Sequence, residues 1–548
     1  MSEQSTIQQP NRDLYAREGL RYLPNILTML DQNPFSPTYG CGDRAYWLYK
    51  SIDYACGMYG EFCLPLALAF TQPYPNNPYF EEEKIRDLSI AVIRNQMSFA
   101  HQDGSNDDFY PWEKAVGSTA FTLYAMAETA RILSIDDDDI LGFLDRRATW
   151  LGNRQESGRL TNHHALVALG IGVVENLTGS SKLKAARTHV RDNVLAWQSK
   201  EGWFPEYEGF DPGYHTFTIS FLAYLRQITR DDTLTAPLTR ATDLAAEFIG
   251  PDGSYGGEIG SRNSYHFLPH GFEILAAELG SARYLADKFL LSLSRGTRSF
   301  LDENRTFCHY QYNYLQSWLD FAGRDLHLDW SPAEGVKQYP EAGALTVRKN
   351  GIHAAISAKK GGIVKASTIE GSLASDTGLV GECRDGSLFA HSVACDDEVR
   401  VEEGNNDSLT FEFKITFDKV PNTIRPTTFR LFVLRLISMT LGRIEPNLLR
   451  KMIQYLLINR RRTVPFQSVR RVKIDDGGIE VRDEVQRLGS YAEIGRLASS
   501  SDLTTVYTAS SNPWHVSRLF TWLDLPKEAQ ELNDQGATTV IRNWPRPS

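Results

Sequence analysis

At 548 residues the chain exceeds the size at which a single hydrophobic core stops growing, so two domains are expected, and its 42% hydrophobic and 23% charged residues are those of an ordinary globular protein. A net charge of -10 argues against general nucleic-acid binding, which draws its affinity from clustered Lys and Arg. No uninterrupted run of 18 apolar residues occurs, the N-terminal segment has no basic start leading into an apolar run, and the six cysteines follow no CxxC spacing. The sequence therefore reads as a reduced, cytoplasmic protein without a membrane span.

From Asp13 to Trp318 apolar residues recur at helical spacing, as in residues 118–133, 164–177 and 270–290. Glycine-marked loops punctuate this region at Asp103-Gly104, Glu201-Gly202 and Asp252-Gly253. Gly202 and Gly253 are 51 residues apart and Gly104 and Gly202 are 98 apart, so a further loop is due near residue 153, where GNRQESGRLTNHHA stands. A period of about 50 residues with helical sequence between loops is the mark of stacked helical hairpins. The fold class expected is an N-terminal (α/α) toroid over residues 1–330, with these loops opening on one rim.

The loops carry the residues suited to acid/base chemistry. Asn162 and His163 precede an apolar run, at a helix start where backbone donors and the helix dipole favour an anion. An amide and a neutral imidazole there can hold a carboxylate, or His163 can act as a base; capping by Asn162 and packing by the histidines is the structural alternative. The next loop ends Asp211-Pro212-Gly213-Tyr214-His215, again ahead of a helix-like run. Tyr214 is a candidate proton-transfer group, acting as a base only where a cation stabilises its phenolate, and His215 is a candidate helper. The third loop offers Glu258, Arg262, Asn263, Tyr265 and His266 as substrate-binding candidates. Arg262 can lower a neighbouring phenol's pKa or grip a carboxylate with two hydrogen bonds, unless it pairs with Glu258 or Glu273. The remaining loop carboxylates, Asp107, Asp108, Glu113, Glu206, Glu208 and Asp211, are read mostly as solvated, although they leave a glycosidase-type pair open. No HExxH or zinc-type His/Cys spacing occurs, so no cofactor is expected, with zinc and calcium left open.

After residue 330 the pattern changes to short alternating runs rich in β-branched residues, such as ALTVRKN, GIHAAISAKKGG, SLTFEFKITF, GIEVRDEV and DLTTVYTA. An antiparallel β-sandwich is expected over residues 331–548. A basic helical insertion interrupts it at about 425–465: between Arg425 and Arg471 eleven Lys or Arg face one acid, Glu445, leaving the rest of the chain near -20. Its apolar residues lie at three- and four-residue spacings with Arg between them, which suits an amphipathic hairpin packed on its own domain, peripheral contact with an anionic membrane at the inner surface, or contact with an acidic polysaccharide.

The order of these parts, an Asn-His pair, a Gly-Tyr-His loop and then a β-sandwich, resembles the heparinase II/III-like polysaccharide lyases, including the oligoalginate lyases. The resemblance implies β-elimination on an acidic polysaccharide or oligosaccharide, with Asn162 and His163 neutralising a uronate carboxyl and Tyr214, helped by Arg262 or His215, transferring the proton. The sequence departs from the family where its sandwich usually has a histidine-rich segment after a glycine pair: residues 359–378 read KKGGIVKASTIEGSLASDTG, without histidine. His353 and His391 are the substitutes at hand, and the departure puts both the standard arrangement and a zinc site in question. A uronyl C5-epimerase, a glycoside hydrolase and a non-catalytic glycan-binding or assembly protein are the alternatives, and the oligomeric state is left open.

Overall fold

The computed structural model describes residues 11–546, apart from 155, 157, 208, 298–304, 325–327, 329, 392–399, 404–407, 421–426, 447, 450–461 and 505–520. Six helices form an inner ring: Cys63–Thr71, Val116–Ile132, Thr161–Thr178, Pro212–Thr229, His270–Leu275 and Cys308–Leu319. Each packs on the next, and Cys308–Leu319 packs back on Cys63–Thr71 to close the ring. Surrounded on all sides, the helix Val116–Ile132 carries no polar stripe, and every residue from Val116 to Ala130 is buried. An outer helix follows each of the first five (Glu83–Phe99, Asp138–Gly152, Ser181–Ala196, Thr235–Glu247 and Gly280–Ser294), burying one stripe only. The sixth outer position is taken by Asp13–Arg21, from the start of the chain, against Cys308–Leu319. Trp318 Nε1 donates to Asp13 Oδ1 at 3.0 Å across this closure, and Tyr15 Oη donates to Glu273 Oε1 of the inner helix His270–Leu275 at 2.8 Å.

The stretch 270–290, which reads as one helical run, is an inner and an outer helix separated by residues 276–279. Both halves are apolar enough that periodicity does not mark the turn. The glycine loops behave as the repeat predicts, since each joins an outer helix to the next inner one, and that places them on one rim. Gly104, Gly202 and Gly253 have φ of +86°, +101° and +84°, a region that favours residues without Cβ. A Cβ would also strike the backbone of the following outer helix, 2.9 Å from Arg147 Cα, 2.6 Å from Arg240 O and 2.4 Å from Lys288 O. The glycine period is thus the period at which each loop leans on the next hairpin.

The last toroid helix ends at Leu319 and strands begin at Gly335. The first sheet has the order β1-β2-β3-β4-β5, with β1 Gly335–Tyr339, β2 Ala344–Lys349, β3 Ile352–Ser357, β4 Ile363–Thr368 and β5 Gly371–Asp376, all antiparallel neighbours. The second contains β6 Gly378–Cys383, β7 Leu388–Ala390, β8 Arg400–Glu403, β9 Leu409–Lys419, β10 Thr463–Asp475, β11 Gly478–Arg487, β12 Ile494–Ser500, β13 Leu523–Asp524 and β14 Ala537–Pro545. Its order is β13-β12-β6-β7-β9-β10-β11-β14, with β8 also on β9. Leu345, Val347, Ile356 and Val364 of the first sheet form one core with Phe411, Phe413, Val472 and Val481 of the second. The opposite face of the first sheet lies on the toroid, where Ala344, Ala355 and Ile363 join the helical core. Covered on both sides, β3 is buried along its whole length.

A charged cluster is sealed inside the sandwich. Arg470 pairs with Asp376 and lies 3.6 Å from Asp483, while Arg542 Nε donates to Asp376 Oδ2 at 2.7 Å and its guanidinium also pairs with Asp483. All four side chains are at most 5% exposed. Arg471 bridges Glu412 and Glu484 at 2.9 Å each. This corrects the expected basic segment: Arg470 and Arg471 are paired residues of β10, and the helical excursion ends before Thr463. The DLTTVYTA segment ends among residues outside the description, as does much of the second half of the basic hairpin.

Candidate functional site

The helix Thr161–Thr178 starts with Asn162 and His163 in its first turn. Leu160 is the N-cap, so Asn162 is not a cap. Its amide Nδ2 instead donates 2.8 Å to Glu206 Oε2, in the loop ahead of the next inner helix. The two loops are stitched together by Thr161 Oγ1 donating to Pro205 O at 2.6 Å and by a β-bridge between Leu160 and Glu206. His163 Nδ1 lies 2.6 Å from Glu156 Oε2, which fixes the ring proton on Nδ1. Its ring lies against Gly117, where a Cβ would come within 2.6 Å of His163 Cε1. Burial holds this imidazole below its ordinary pKa despite the nearby carboxylates of Glu206 and Asp108. His164 points the other way, edge-on to Trp197 in the wall between inner and outer helices, with its pKa lowered to about 4 by burial.

Asp211 caps the helix Pro212–Thr229 by accepting from Tyr214 N at 3.0 Å. Its other oxygen accepts from Arg262 N at 2.9 Å, and Ser264 Oγ also donates to the carboxylate. One buried carboxylate thereby holds the loop carrying Arg262 against the turn that presents Tyr214. Arg262 meets neither Glu258 nor Glu273; its guanidinium lies 4.2 Å above the Tyr207 ring and draws down the pKa of both Glu206 and Tyr214. Burial still dominates both groups. The Glu206 carboxyl is pushed up to about 7, chiefly by desolvation, against the pull of His163, Asn162 and Arg262. The half-buried Tyr214 phenol is raised by burial and by Glu206, so it is protonated at neutral pH.

Two phenylalanines tie the groups into one cluster. Phe121 packs edge-on to His163 at 6.2 Å and to Phe217 at 6.3 Å; Phe217 in turn lies 5.7 Å from Tyr214 and 4.7 Å from His266. His266 abuts the Tyr214 ring at 4.6 Å and is hydrogen-bonded to Tyr310. Asn162, His163, Glu206, Tyr214, Arg262, His266 and Tyr310 therefore share one place on the rim.

Other sequence candidates are elsewhere in purpose. His215 is in the core between Phe204 and Phe210; its Nε2 donates to Ala241 O at 3.0 Å and its pKa is lowered to about 4, so it is no helper of Tyr214. Glu258, Asn263 and Tyr265, expected as substrate contacts, are each at most 7% exposed and lie against lysines of the sandwich. Lys365 pairs with Glu258 at 2.5 Å, and Tyr265 Oη donates to the same carboxylate at 2.6 Å. Lys360, next to the glycine pair, donates to Glu258 O at 2.8 Å, to Gly260 O at 2.9 Å and to Asn263. These lysines are what the sandwich contributes in the segment without histidine. His353 and His391 are buried in structural contacts, with Glu247 O and with Arg470 respectively, and both have pKa values lowered to about 3. Among the described residues no His, Cys, Asp and Glu cluster is arranged to hold a metal ion.

Glu206 and Glu156 are the parts sequence reasoning missed. Glu206 counted as one more solvated loop carboxylate, and Glu156 stood in the expected loop without a signal of its own. Four residues separate Glu206 from the Asp211 cap, and that proximity to a helix start was the available clue.

The architecture is a closed helical toroid whose rim carries this cluster and meets an antiparallel sandwich. Among solved structures it is similar to the chondroitin AC lyase of Streptomyces coelicolor A3 in complex with chondroitin sulphate, with a TM-score of 0.51 at 9% identity over 100% of this chain and 81% of that one. Heparinase III gives a TM-score of 0.49 at 10% identity, over 92% and 75% of the two chains. An unsaturated glucuronyl hydrolase mutant from Streptococcus agalactiae gives 0.39 at 10% identity, over 58% and 96%. No protein-family model and no curated protein matches the chain. The helical toroid followed by an antiparallel sandwich expected from the sequence is thus present as a fold.

Proposed function

We propose that the protein is a polysaccharide lyase that cleaves a uronic-acid-containing glycan by β-elimination. The observation that carries this reading is the convergence of Asn162, His163, Glu206 and Tyr214 at two adjacent inner-helix starts. Glu206, held by the Asn162 amide and with its pKa near 7, is protonated below neutrality, and its carboxyl can donate to a substrate carboxylate beside Arg262. Neutralising that carboxylate acidifies the C5 proton and stabilises the enolate that forms. His163, neutral and oriented by Glu156, takes the C5 proton on Nε2; the C5 electron pair becomes the C4–C5 double bond as the C4–O4 bond breaks, and the Tyr214 phenol protonates the departing O4.

The test is incubation with a panel of acidic polysaccharides, following ultraviolet absorbance of an unsaturated product and hydrogen exchange at C5. The expected outcome is absorbance, with kcat/KM falling as pH rises through about 7, where Glu206 loses its proton. Exchange without absorbance would replace the reading with C5-epimerisation. New reducing ends without absorbance would indicate hydrolysis, and binding without turnover a glycan-binding protein.

A further inference from the structure

Between β9 and β10 the helix Thr428–Ile437 and the π-turn Ser438–Gly442 leave the sandwich and reach the toroid rim. Arg435 pairs with Asp53 at 3.1 Å and lies over Tyr54, while Arg443 lies 5.7 Å above the Trp112 ring. Trp112 belongs to the loop that carries Asp108, one of the carboxylates felt by His163. The excursion is therefore fastened beside the candidate site.

Its outward side is apolar to an unusual degree. Phe429 is 74% exposed, Phe432 64% and Ile444 77%, and Leu431, Leu436, Met439 and Leu448 are each exposed by about half. No residue of the helix Thr428–Ile437 is buried. Helices apolar on every side belong inside proteins or membranes, and apolar patches of this kind on a soluble chain mark contact surfaces. The same segment is the most basic in the chain: residues 425–462 hold nine Lys or Arg against Glu445 alone, while the rest of the protein is acidic.

We propose that this excursion docks the protein on an anionic lipid bilayer, lying in the interface with its Phe and Leu side chains among the acyl chains, the net positive charge of the segment drawing it to the headgroups. Ten helical residues extend about 15 Å, half the hydrocarbon thickness, and no described helix is long and apolar enough to cross a membrane, so the mode is surface binding. Charge favours lipid over a second copy of the chain, because pairing two such faces brings cations against cations. The side chains favour lipid over a glycan: phenyl and branched aliphatic groups offer sugars few hydrogen-bond partners but partition readily into acyl chains. The inference is independent of the reaction proposed for the rim.

The test uses the full chain in cosedimentation with phosphatidylcholine vesicles, with and without phosphatidylglycerol. Binding to the anionic vesicles is expected, weakening but persisting as salt rises. The double variant Phe429→Ser, Phe432→Ser should bind at least about tenfold more weakly, since two large apolar side chains no longer leave water, and should keep its thermal unfolding curve because both side chains face solvent. Absence of wild-type binding to either vesicle, or equal binding by the variant, overturns the proposal. So does a dimer in sedimentation velocity that the variant dissolves, which would assign the face to a second copy. Retention on an acidic polysaccharide column lost in the variant, without vesicle binding, would assign it to glycan instead.

Discussion

The buried charges of the sandwich core and of the toroid rim are resolved in opposite ways. Inside the sandwich, Asp376 and Asp483 are each approached by Arg470 and Arg542, and both carboxyls are held below their ordinary range by those guanidinium groups despite desolvation. At the rim, Glu206 has an amide, an imidazole and a more distant guanidinium for company, and desolvation wins, so its carboxyl titrates near neutrality. Burial is similar, and the difference lies in how fully each acid is matched. A matched cluster is a fixed structural element. An undermatched one keeps a proton that can be shared with an incoming anion.

The contrast is broken most severely from the structural side. Arg470→Met leaves Asp376 and Asp483 with one guanidinium between them and should cost about 3–5 kcal/mol of stability, read from chemical denaturation; a loss below about 1 kcal/mol would show that the cluster is not matched as described. Tyr214→Phe addresses the rim: turnover should fall about 100-fold or more while the denaturation midpoint stays put, and wild-type turnover on any accepted glycan would remove Tyr214 from proton transfer.

Glu206→Gln sharpens the comparison through pH. The folded carboxyl titrates near 7, above its ordinary 4.5, so between those values the folded protein holds a proton that the unfolded chain has released. The wild type should lose stability as pH rises through that window, by at most about 1.4 kcal/mol per pH unit, and the variant should not. Asp376 and Asp483, shifted down, act in the reverse sense: their contribution is present above about pH 3.8 and is lost only as pH falls through their depressed values. Denaturation midpoints at several pH values from 5 to 8 would reveal the slope, and a pH-independent difference between wild type and variant would contradict it. The smallest effect is expected at His215, a core group. His215→Asn should cost about 1–2 kcal/mol through its lost contacts and leave the pH profile of turnover unchanged; a shifted profile would return it to the site.

Features set by local pattern were legible in the sequence. The glycine period found the rim because each loop needs a residue without Cβ where it leans on the next hairpin, and the change from helical to alternating periodicity separated toroid from sandwich. Asn162 and Tyr214 stood out because helix starts present them. What escaped was set by partners distant in sequence. Glu206 reads like any loop acid until Leu160 and Asn162 close over it. Glu258 and Tyr265 look like ligand contacts until lysines about a hundred residues later occupy them. Arg470 and Arg471 look like part of a basic tract until β10 sets Arg470 against Asp376 at the end of β5 and Arg471 against acids of its two neighbouring strands.

The lysine contacts between sandwich and toroid bear on whether the protein can be divided. Lys365 is the cation beside the buried Glu258 carboxylate, and Lys360 holds three acceptors of the loop that presents Arg262. A toroid produced alone would lose these partners, exposing the Glu258 carboxylate and freeing the stretch of chain next to Tyr214. The helical half is therefore not a portable module, and transplanting its rim into another scaffold would require bringing the two lysines along.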